Sequence, residues 1–333
     1  MSREQVLACL RACGNYVSGE ALSRRLGLSR AAVWKAVDTL RKEGYVIEAR
    51  TGLGYRLAGT PDALTESEIR SHMGSTITVG RDLLCRAEVD STNTWAKRLA
   101  LEGAVDGTVV VADCQTGGRG RLGRSFQSPA GKGVYLTALL RPSLAPESLL
   151  PVTALCAVAV CDAVEEVCGL RPGIKWTNDL VLGGRKLCGI LTELSLEAET
   201  GQVQYLVLGI GVNVLHQPED FSEEVAQVAT SLAMELDHPV SRSTLAAAEI
   251  RALDRLYGAM ESGDLAPWLE AYRRDCVTLG HTVQILSPDG RRETVEALDV
   301  DEQFGLVVRR QDGTQDIIRS GEVSVRGMYG YVE

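Results

Sequence analysis

Histidine is scarce in this chain. The four present (His72, His216, His238 and His281) are scattered, none at ligand spacing from a cysteine or a carboxylate. No protein-held metal site is therefore expected. A G-x-S-x-G nucleophile elbow is absent, so the pattern of a serine hydrolase is missing too. The nine cysteines are odd in number and include no C-x-x-C. That argues against a disulfide framework or a zinc ribbon and points to a reducing compartment. No apolar stretch follows a basic region at the N-terminus, and no uninterrupted apolar run approaches the roughly 18 residues that a membrane span needs. Neither signal peptide nor membrane span is expected, and the reading is a cytoplasmic protein.

What is present is unevenly distributed. At 333 residues the length suggests two or three domains. The net charge is −9, yet residues 1–58 carry ten Lys/Arg against five Asp/Glu, a balance of +5, which leaves −14 for the remainder. A basic head on an acidic body favours nucleic acid as a partner of the head alone.

The most unusual stretch is Gln115-Thr116-Gly117-Gly118-Arg119-Gly120-Arg121-Leu122-Gly123-Arg124, with four glycines and three arginines in ten residues. Glycine lets backbone N–H groups approach a ligand, and arginine offers a charged fork matched to carboxylate and phosphate oxygens. The loop is suited to an anion. Gly118, Gly120 and Gly123 formally spell G-x-G-x-x-G, but a dinucleotide fingerprint needs a helix to open at once and an acidic residue about 20 positions on. Turn residues follow instead, then an apolar strand from Val134 to Leu140. Gly131-Lys132 is no P-loop, because Gly133 stands where Ser or Thr would hold magnesium.

Periodicity and turn chemistry give the organisation. Helices at residues 3–12, 20–27 and 30–43, the second and third joined by Gly27-Leu28-Ser29, form a helix-turn-helix, and residues 45–57 alternate around a glycine turn as a two-stranded wing would. Arg30, Lys35, Arg41, Lys42, Arg50 and Arg56 are the candidate DNA contacts, whereas Trp34 reads as packing. After a linker at 59–62, Thr65 and Glu68 have capping-box spacing. A strand follows from Leu83 to Val89, and Ser91 stands at the N-cap of a helix over 92–101. A long apolar helix is predicted from about Glu147 to Val167, with its cysteines as packing residues. Hairpin-paired strands to about Val214, with helices on one face, suggest an α+β sheet rather than a doubly wound one. Residues 215–230 read as a mobile loop, and Ser243 is expected to cap a helix reaching Glu261. Short strands at 282–286, 294–298, 306–309, 316–318 and 323–326 predict a small β-barrel. The expected domains are 1–60, 65–275 and 279–333.

Four blocks in order (Ser91-Thr92-Asn93; GGRGRLGR; Lys175-Trp176-Thr177-Asn178-Asp179; Arg185-Lys186-Leu187-Cys188-Gly189-Ile190-Leu191) resemble the bifunctional biotin protein ligase and biotin operon repressor, over essentially the whole chain. The resemblance implies a biotin/lipoate ligase-like catalytic domain behind a winged helix-turn-helix, and an SH3-like C-terminal barrel. It implies ATP- and Mg²⁺-dependent conversion of biotin to biotinyl-5′-AMP, then transfer to a lysine of a biotin carboxyl carrier protein, a subunit of acetyl-CoA carboxylase. It also implies a homodimer on operator DNA with the adenylate as corepressor. On matching positions, Ser91, Thr92, Asn93, Gln115, Gly118, Arg119, Gly120, Arg121, Lys186 and Gly189 would bind biotin, Arg119, Arg121 and Lys186 would be catalytic, and Arg124 and Asn178 would contact the nucleotide. Asp179 is open between a magnesium ligand and a turn or interface role. Phe126 stands where tryptophan is common, and Thr177 where proline is. A regulator without ligase activity and a lipoate-type ligase are the alternatives.

Overall fold

A computed structural model describes residues 2–286, 292–319 and 322–325, which form two compact units divided between Ala63 and Leu64. In the first unit α1 (Ser2–Cys13), α2 (Gly19–Leu26) and α3 (Arg30–Lys42) close over Val6, Leu7, Leu10, Leu22, Val33, Val37 and Leu40. Ser18 and Ser29 accept from the amides of Ala21 (3.0 Å) and Ala32 (3.2 Å), satisfying donors that the first helical turn leaves open. Gly27 ends α2 at φ +66°, the left-handed geometry that stops a helix and permits the tight turn into α3. β1 (Val46–Arg50) and β2 (Gly54–Gly59) pair antiparallel as the wing. Trp34 departs from expectation, being 60% exposed. The buried stripe of α3 is Val33, Ala36, Val37 and Leu40, and Trp34 falls outside it.

In the second unit α4 (Glu66–Met73) starts at Thr65, whose hydroxyl accepts from the Glu68 amide at 3.2 Å. The chain continues through β3 (Leu83–Val89), α5 (Thr92–Leu101), β4 (Thr108–Gln115), β5 (Gly133–Leu140) and α6 (Val152–Cys168). Then come β6 (Gly173–Lys175), β7 (Asp179–Leu182), β8 (Arg185–Leu196) and β9 (Val203–Asn213). The seven strands lie in the order β3-β4-β5-β9-β8-β7-β6. β3 and β4 are parallel across α5 and the other pairs antiparallel, so the sheet is mixed. The four short or long helices that follow are α7 (Glu223–Ala226), α8 (Leu232–Glu235), α9 (Arg242–Ser262) and α10 (Ala266–Asp275).

The helices are not confined to one face, as had been expected. Val109, Val111, Leu136 and Ala138 face the large core with α6 and α9, while Val110, Ala112 and Leu139 meet Trp95, Ala96 and Ala100 of α5. The period of two puts alternate residues of one strand on opposite faces, and both faces are covered. Three boundaries also differ. A 3-10 turn at Pro146–Leu149 and Pro151 precede α6, which begins at Val152, since proline suits a helix start and not its interior. Ser241, not Ser243, caps α9, accepting from the Thr244 amide at 3.3 Å. Residues 215–230 contain a 3-10 turn and α7, and bury His216 and Thr230. The stretch Pro146–Cys168 is apolar and long enough to cross a membrane by composition, but most of it is buried and α6 is a core helix.

The C-terminal strands β10 (Thr282–Leu286), β11 (Arg292–Val300), β12 (Leu306–Arg309), β13 (Gln315–Ile318) and β14 (Glu322–Val325) form an antiparallel sheet in the order β13-β12-β11-β10-β14. Of the strand expected at 323–326, Arg326 lies outside the described residues. This sheet is not insulated from what precedes it. Val283, Ala297, Phe304 and Leu306 belong to the same buried cluster as α6 and α9, and Trp176 Nε1 donates to the Phe304 carbonyl at 2.9 Å.

Candidate active site

After β4 the chain folds back on itself. Gln115 and Ser128 bridge, Arg119 and Ser125 bridge, and the Phe126 amide donates to the Gly118 carbonyl at 2.9 Å. A 3-10 turn at Arg121–Gly123 forms the tip, with Gly123 at φ +76°. No helix opens after the glycines, which disposes of the dinucleotide fingerprint. Gly118 has a steric role that its sequence context did not reveal. A Cβ there would stand 2.3 Å from the Phe126 carbonyl oxygen, so its missing side chain lets the loop close.

Under the loop the sheet supplies a floor. On β9, Gly209 and Gly211 are two residues apart and therefore share a face. Gly209 lies opposite Thr137 of β5 and Leu191 of β8. Asn93 sits over it, accepting from the Thr137 hydroxyl at 2.8 Å and donating to the Leu191 carbonyl at 3.2 Å and to Glu193 at 2.9 Å. Gly211 lies opposite Tyr135 and Gly189. The Phe126 ring covers it, edge-on to Tyr135 at 6.4 Å. Side chains at 209 and 211 would collide with these two, at 2.1 Å from Asn93 Oδ1 and 2.6 Å from Phe126 Cε1. Neither glycine figured among the expected site residues, although glycines alternating within a strand are a recognisable sign of close approach.

Loop, floor and C-terminal sheet enclose a cavity of about 370 Å³. Ser91, Thr92, Asn93, Gln115, Arg119, Gly120, Arg121, Arg124, Asn178, Lys186 and Gly189 all line it, so nearly every expected residue from four distant segments converges there. Gly118 is not among the lining residues. Lys175 and Trp176, from the block that opens at Lys175, line it too, and Gln284, Leu286 and Arg292 contribute without having been expected from the sequence. The lining holds six cationic side chains (Arg119, Arg121, Arg124, Lys175, Lys186 and Arg292) and, among the described residues, a single carboxylate, Asp179. An acidic body thus contains a strongly cationic cavity, able to concentrate anions.

Its polar groups are tied to one another. Arg121 Nη1 donates to Asn178 Oδ1 at 2.8 Å, Asn178 Nδ2 to the Ile190 carbonyl at 2.9 Å, and Lys186 Nζ to Asp179 Oδ1 at 2.6 Å. Gln115 Oε1 accepts from the Thr92 amide and hydroxyl at 2.9 and 3.1 Å. Gln115, not Ser91, therefore satisfies the start of α5, and the Ser91 hydroxyl makes no capping bond. Although burial opposes it, hydrogen bonds from Lys97 and Asn93 hold the Glu193 carboxyl below the usual carboxylate range. Among the described residues no group of three His, Cys, Asp or Glu could hold a metal by itself. The buried cysteines are free, and burial pushes their thiols up, Cys168 to about 11.

Beyond Tyr135, burial drives His216 down to about 4. Its Nε2 lies 3.4 Å from the Tyr135 hydroxyl, and its Nδ1 is buried without a hydrogen bond. Glu249 of α9 is wholly buried with neither oxygen bonded, and burial raises it well above its ordinary value.

In the first unit, two of the six expected DNA-contacting cations are committed internally. Arg41 donates to the Ile47 carbonyl at 2.9 Å, and Arg56 pairs with Glu48 at 2.9 Å while lying over the Tyr16 ring. Arg50 also stacks on Tyr16, at 5.2 Å. Arg30 and Lys42 make exposed pairs with Glu20 and Asp38, and Lys35 is exposed.

The fold and the cationic cavity define a ligase of the biotin/lipoate class: residues 85–213 match the Biotin/lipoate A/B protein ligase family, and residues 2–56 match an HTH domain. The chain is 35% identical to the bifunctional ligase/repressor BirA of Bacillus subtilis, covering 95% of this chain and 96% of that one, and 30% identical to that of Escherichia coli, covering 96% of each. Among solved structures, the biotin protein ligase of Aquifex aeolicus in complex with biotin and ATP superposes with a TM-score of 0.63 at 28% identity, covering 74% of this chain and 99% of that one. The chain belongs to the bifunctional biotin ligase/repressor family.

Proposed function

We propose that the cavity joins biotin to ATP and hands the activated acid to a protein lysine. A carboxylate oxygen of biotin attacks the α-phosphorus, the bond to the β-phosphate oxygen breaks, and pyrophosphate leaves. The amine of the acceptor lysine then attacks the acyl carbon of biotinyl-5′-AMP, AMP departs with the bonding pair, and the nitrogen loses a proton. Two anions have to be held side by side, and cations together with backbone donors do this. Ser91, Thr92, Asn93, Gln115 and Gly189 hold biotin's ring end. Arg119, Gly120, Arg121 and Lys186 hold the carboxylate and the α-phosphate, with Gly118 shaping the loop behind them. Arg124 and Asn178 serve the nucleotide. Asp179, the one carboxylate in the described lining, would meet a Mg²⁺ carried on the ATP phosphates, which would neutralise their charge, since magnesium often takes one or two carboxylates beside phosphate oxygens. The acceptor is a biotin carboxyl carrier protein of acetyl-CoA carboxylase.

The head, residues 1–60, binds operator DNA through Arg30, Lys35, Lys42 and the wing residue Arg50. Arg41 and Arg56 hold the wing in shape and meet phosphate only at its edge. Biotinyl-5′-AMP acts as corepressor by favouring a homodimer that sets two heads on a palindromic site. Residues 65–275 are the catalytic domain, and 279–333 complete an SH3-like barrel. The protein acts in the cytoplasm.

The observation that supports the reading is convergence: segments far apart in the chain put six cations and the Ser91–Asn93 helix start around one cavity. Mass spectrometry of the products formed from ATP with biotin or with lipoate is the test. Biotinyl-5′-AMP, followed by AMP and a biotinylated carrier domain, is expected. A lipoyl product, or no AMP at all, would overturn it.

A further inference from the structure

The first unit carries a feature that neither the ligation reaction nor phosphate binding uses. On α3, the second helix of the helix-turn-helix, the exposed residues are Arg30, Ala31, Trp34, Lys35, Arg41 and Lys42, four cations with one small and one large apolar side chain among them. Trp34, one turn into the helix, is 60% exposed. Apolar packing does not place it there, because Val33, Ala36, Val37 and Leu40 already fill the buried stripe of α3. It follows Arg30 by four residues and so stands above it on the same face.

The start of a recognition helix is the part that reaches base edges in the major groove. Basic side chains there find phosphates and guanine acceptors. An indole offers a flat apolar face and one N–H donor, and the apolar feature that base pairs present in the major groove is the thymine C5-methyl. We infer that Trp34 is a sequence-reading residue of the head, packing its ring on a thymine methyl in each half of the operator. The partner surface is double-stranded DNA, favoured over an apolar protein by the +5 balance of residues 1–58 and by the cations flanking Trp34. The inference rests on the DNA-binding reading of the head.

The test uses the full chain with biotin and ATP. Duplexes are selected from a random pool by the wild type and by Trp34→Ala, and the wild-type consensus is resynthesised with uracil replacing each thymine in turn. The wild type is expected to lose about tenfold in affinity when one thymine per half-site becomes uracil. Trp34→Ala should bind the thymine duplex about tenfold more weakly, be indifferent to that uracil, and lose the preference at that position. Its binding to random duplex at low salt and its rate of AMP release should be unchanged, and Trp34→Phe should recover most of the discrimination. If Trp34→Ala selects the same consensus with the same affinity, or is as sensitive to uracil as the wild type, the inference is overturned. If the wild type selects no sequence at all, the DNA-binding reading itself fails.

Discussion

The loop over the cavity and the floor beneath it are built on opposite principles. The loop works through side chains it has: Arg119, Arg121 and Arg124 project from a turn closed by its own backbone. The floor works through side chains it lacks, because Asn93 and Phe126 can lie on the sheet only where residues 209 and 211 have no Cβ. Each covering side chain also meets ladder partners of the glycine below it: Asn93 bonds to Thr137 and Leu191, and Phe126 lies edge-on to Tyr135. A binding site can therefore be specified as firmly by omission as by charge.

Substitutions can separate the two contributions. The largest effect is expected on the loop. Arg121→Ala should slow adenylate formation by about 10²–10³-fold, since a preorganised cation is lost, while the thermal unfolding midpoint stays close to that of the wild type. A correspondingly large fall in that midpoint would make Arg121 part of the framework instead. On the floor the balance reverses. Gly209→Ala should destabilise the fold by about 1–3 kcal/mol through overpacking against Asn93 and weaken biotin binding, measured by denaturant titration and calorimetry. Gly211→Ala should do the same through Phe126. Unchanged stability in both would remove the steric account.

Protonation of two buried groups outside the cavity lining gives a smaller effect. His216 is lowered from 6.5 to about 4, so on acidification the unfolded chain takes up a proton that the folded protein refuses. Its contribution is present above pH 6.5 and is lost as pH falls towards 4, by up to about 2 kcal/mol at pH 5. Glu249 has the opposite sign. Its carboxyl is raised above 4.5, so its contribution is full at low pH and declines as pH climbs past 4.5, by at most about 1.4 kcal/mol per unit. Against the wild type, Glu249→Gln should therefore gain stability between pH 6 and 8, and a parallel pH profile for the two proteins would contradict it. The smallest change is expected in the head. Arg30→Gln breaks only an exposed pair with Glu20, should move stability by less than about 0.5 kcal/mol, and should lower the salt dependence of DNA binding by about one ion.

The contrast between loop and floor also accounts for what could be read in advance. Cationic side chains at 119, 121, 124 and 186 announce their chemistry by residue type, and the cavity gathers all four. The helix-turn-helix was legible because Ser18, Gly27 and Ser29 are local signals satisfied by local bonds. The roles of Gly118, Gly209 and Gly211 were not, since each is defined by an atom that only the folded chain brings against it. Trp34 was misjudged for a related reason: an aromatic residue in a small helical unit is ordinarily buried, and only the full stripe of α3 reveals that no place was left for it. The second helical layer escaped notice because α5 covers the sheet through short alternating runs, in which Val110 and Ala112 look no different from Val109 and Val111.

The pairing of Arg121 with Asn178, Lys186 with Asp179 and Gln115 with Thr92 has a consequence for how the cavity fills. An arriving acid does not meet bare charges; it competes with resident partners, and every new contact is an exchange. Net affinity is accordingly smaller than six cations would suggest, and the pairing of Lys186 with Asp179 lessens the repulsion among them. Selectivity follows from the same trade, because a guest that replaces only part of these partnerships leaves a donor or an acceptor stranded.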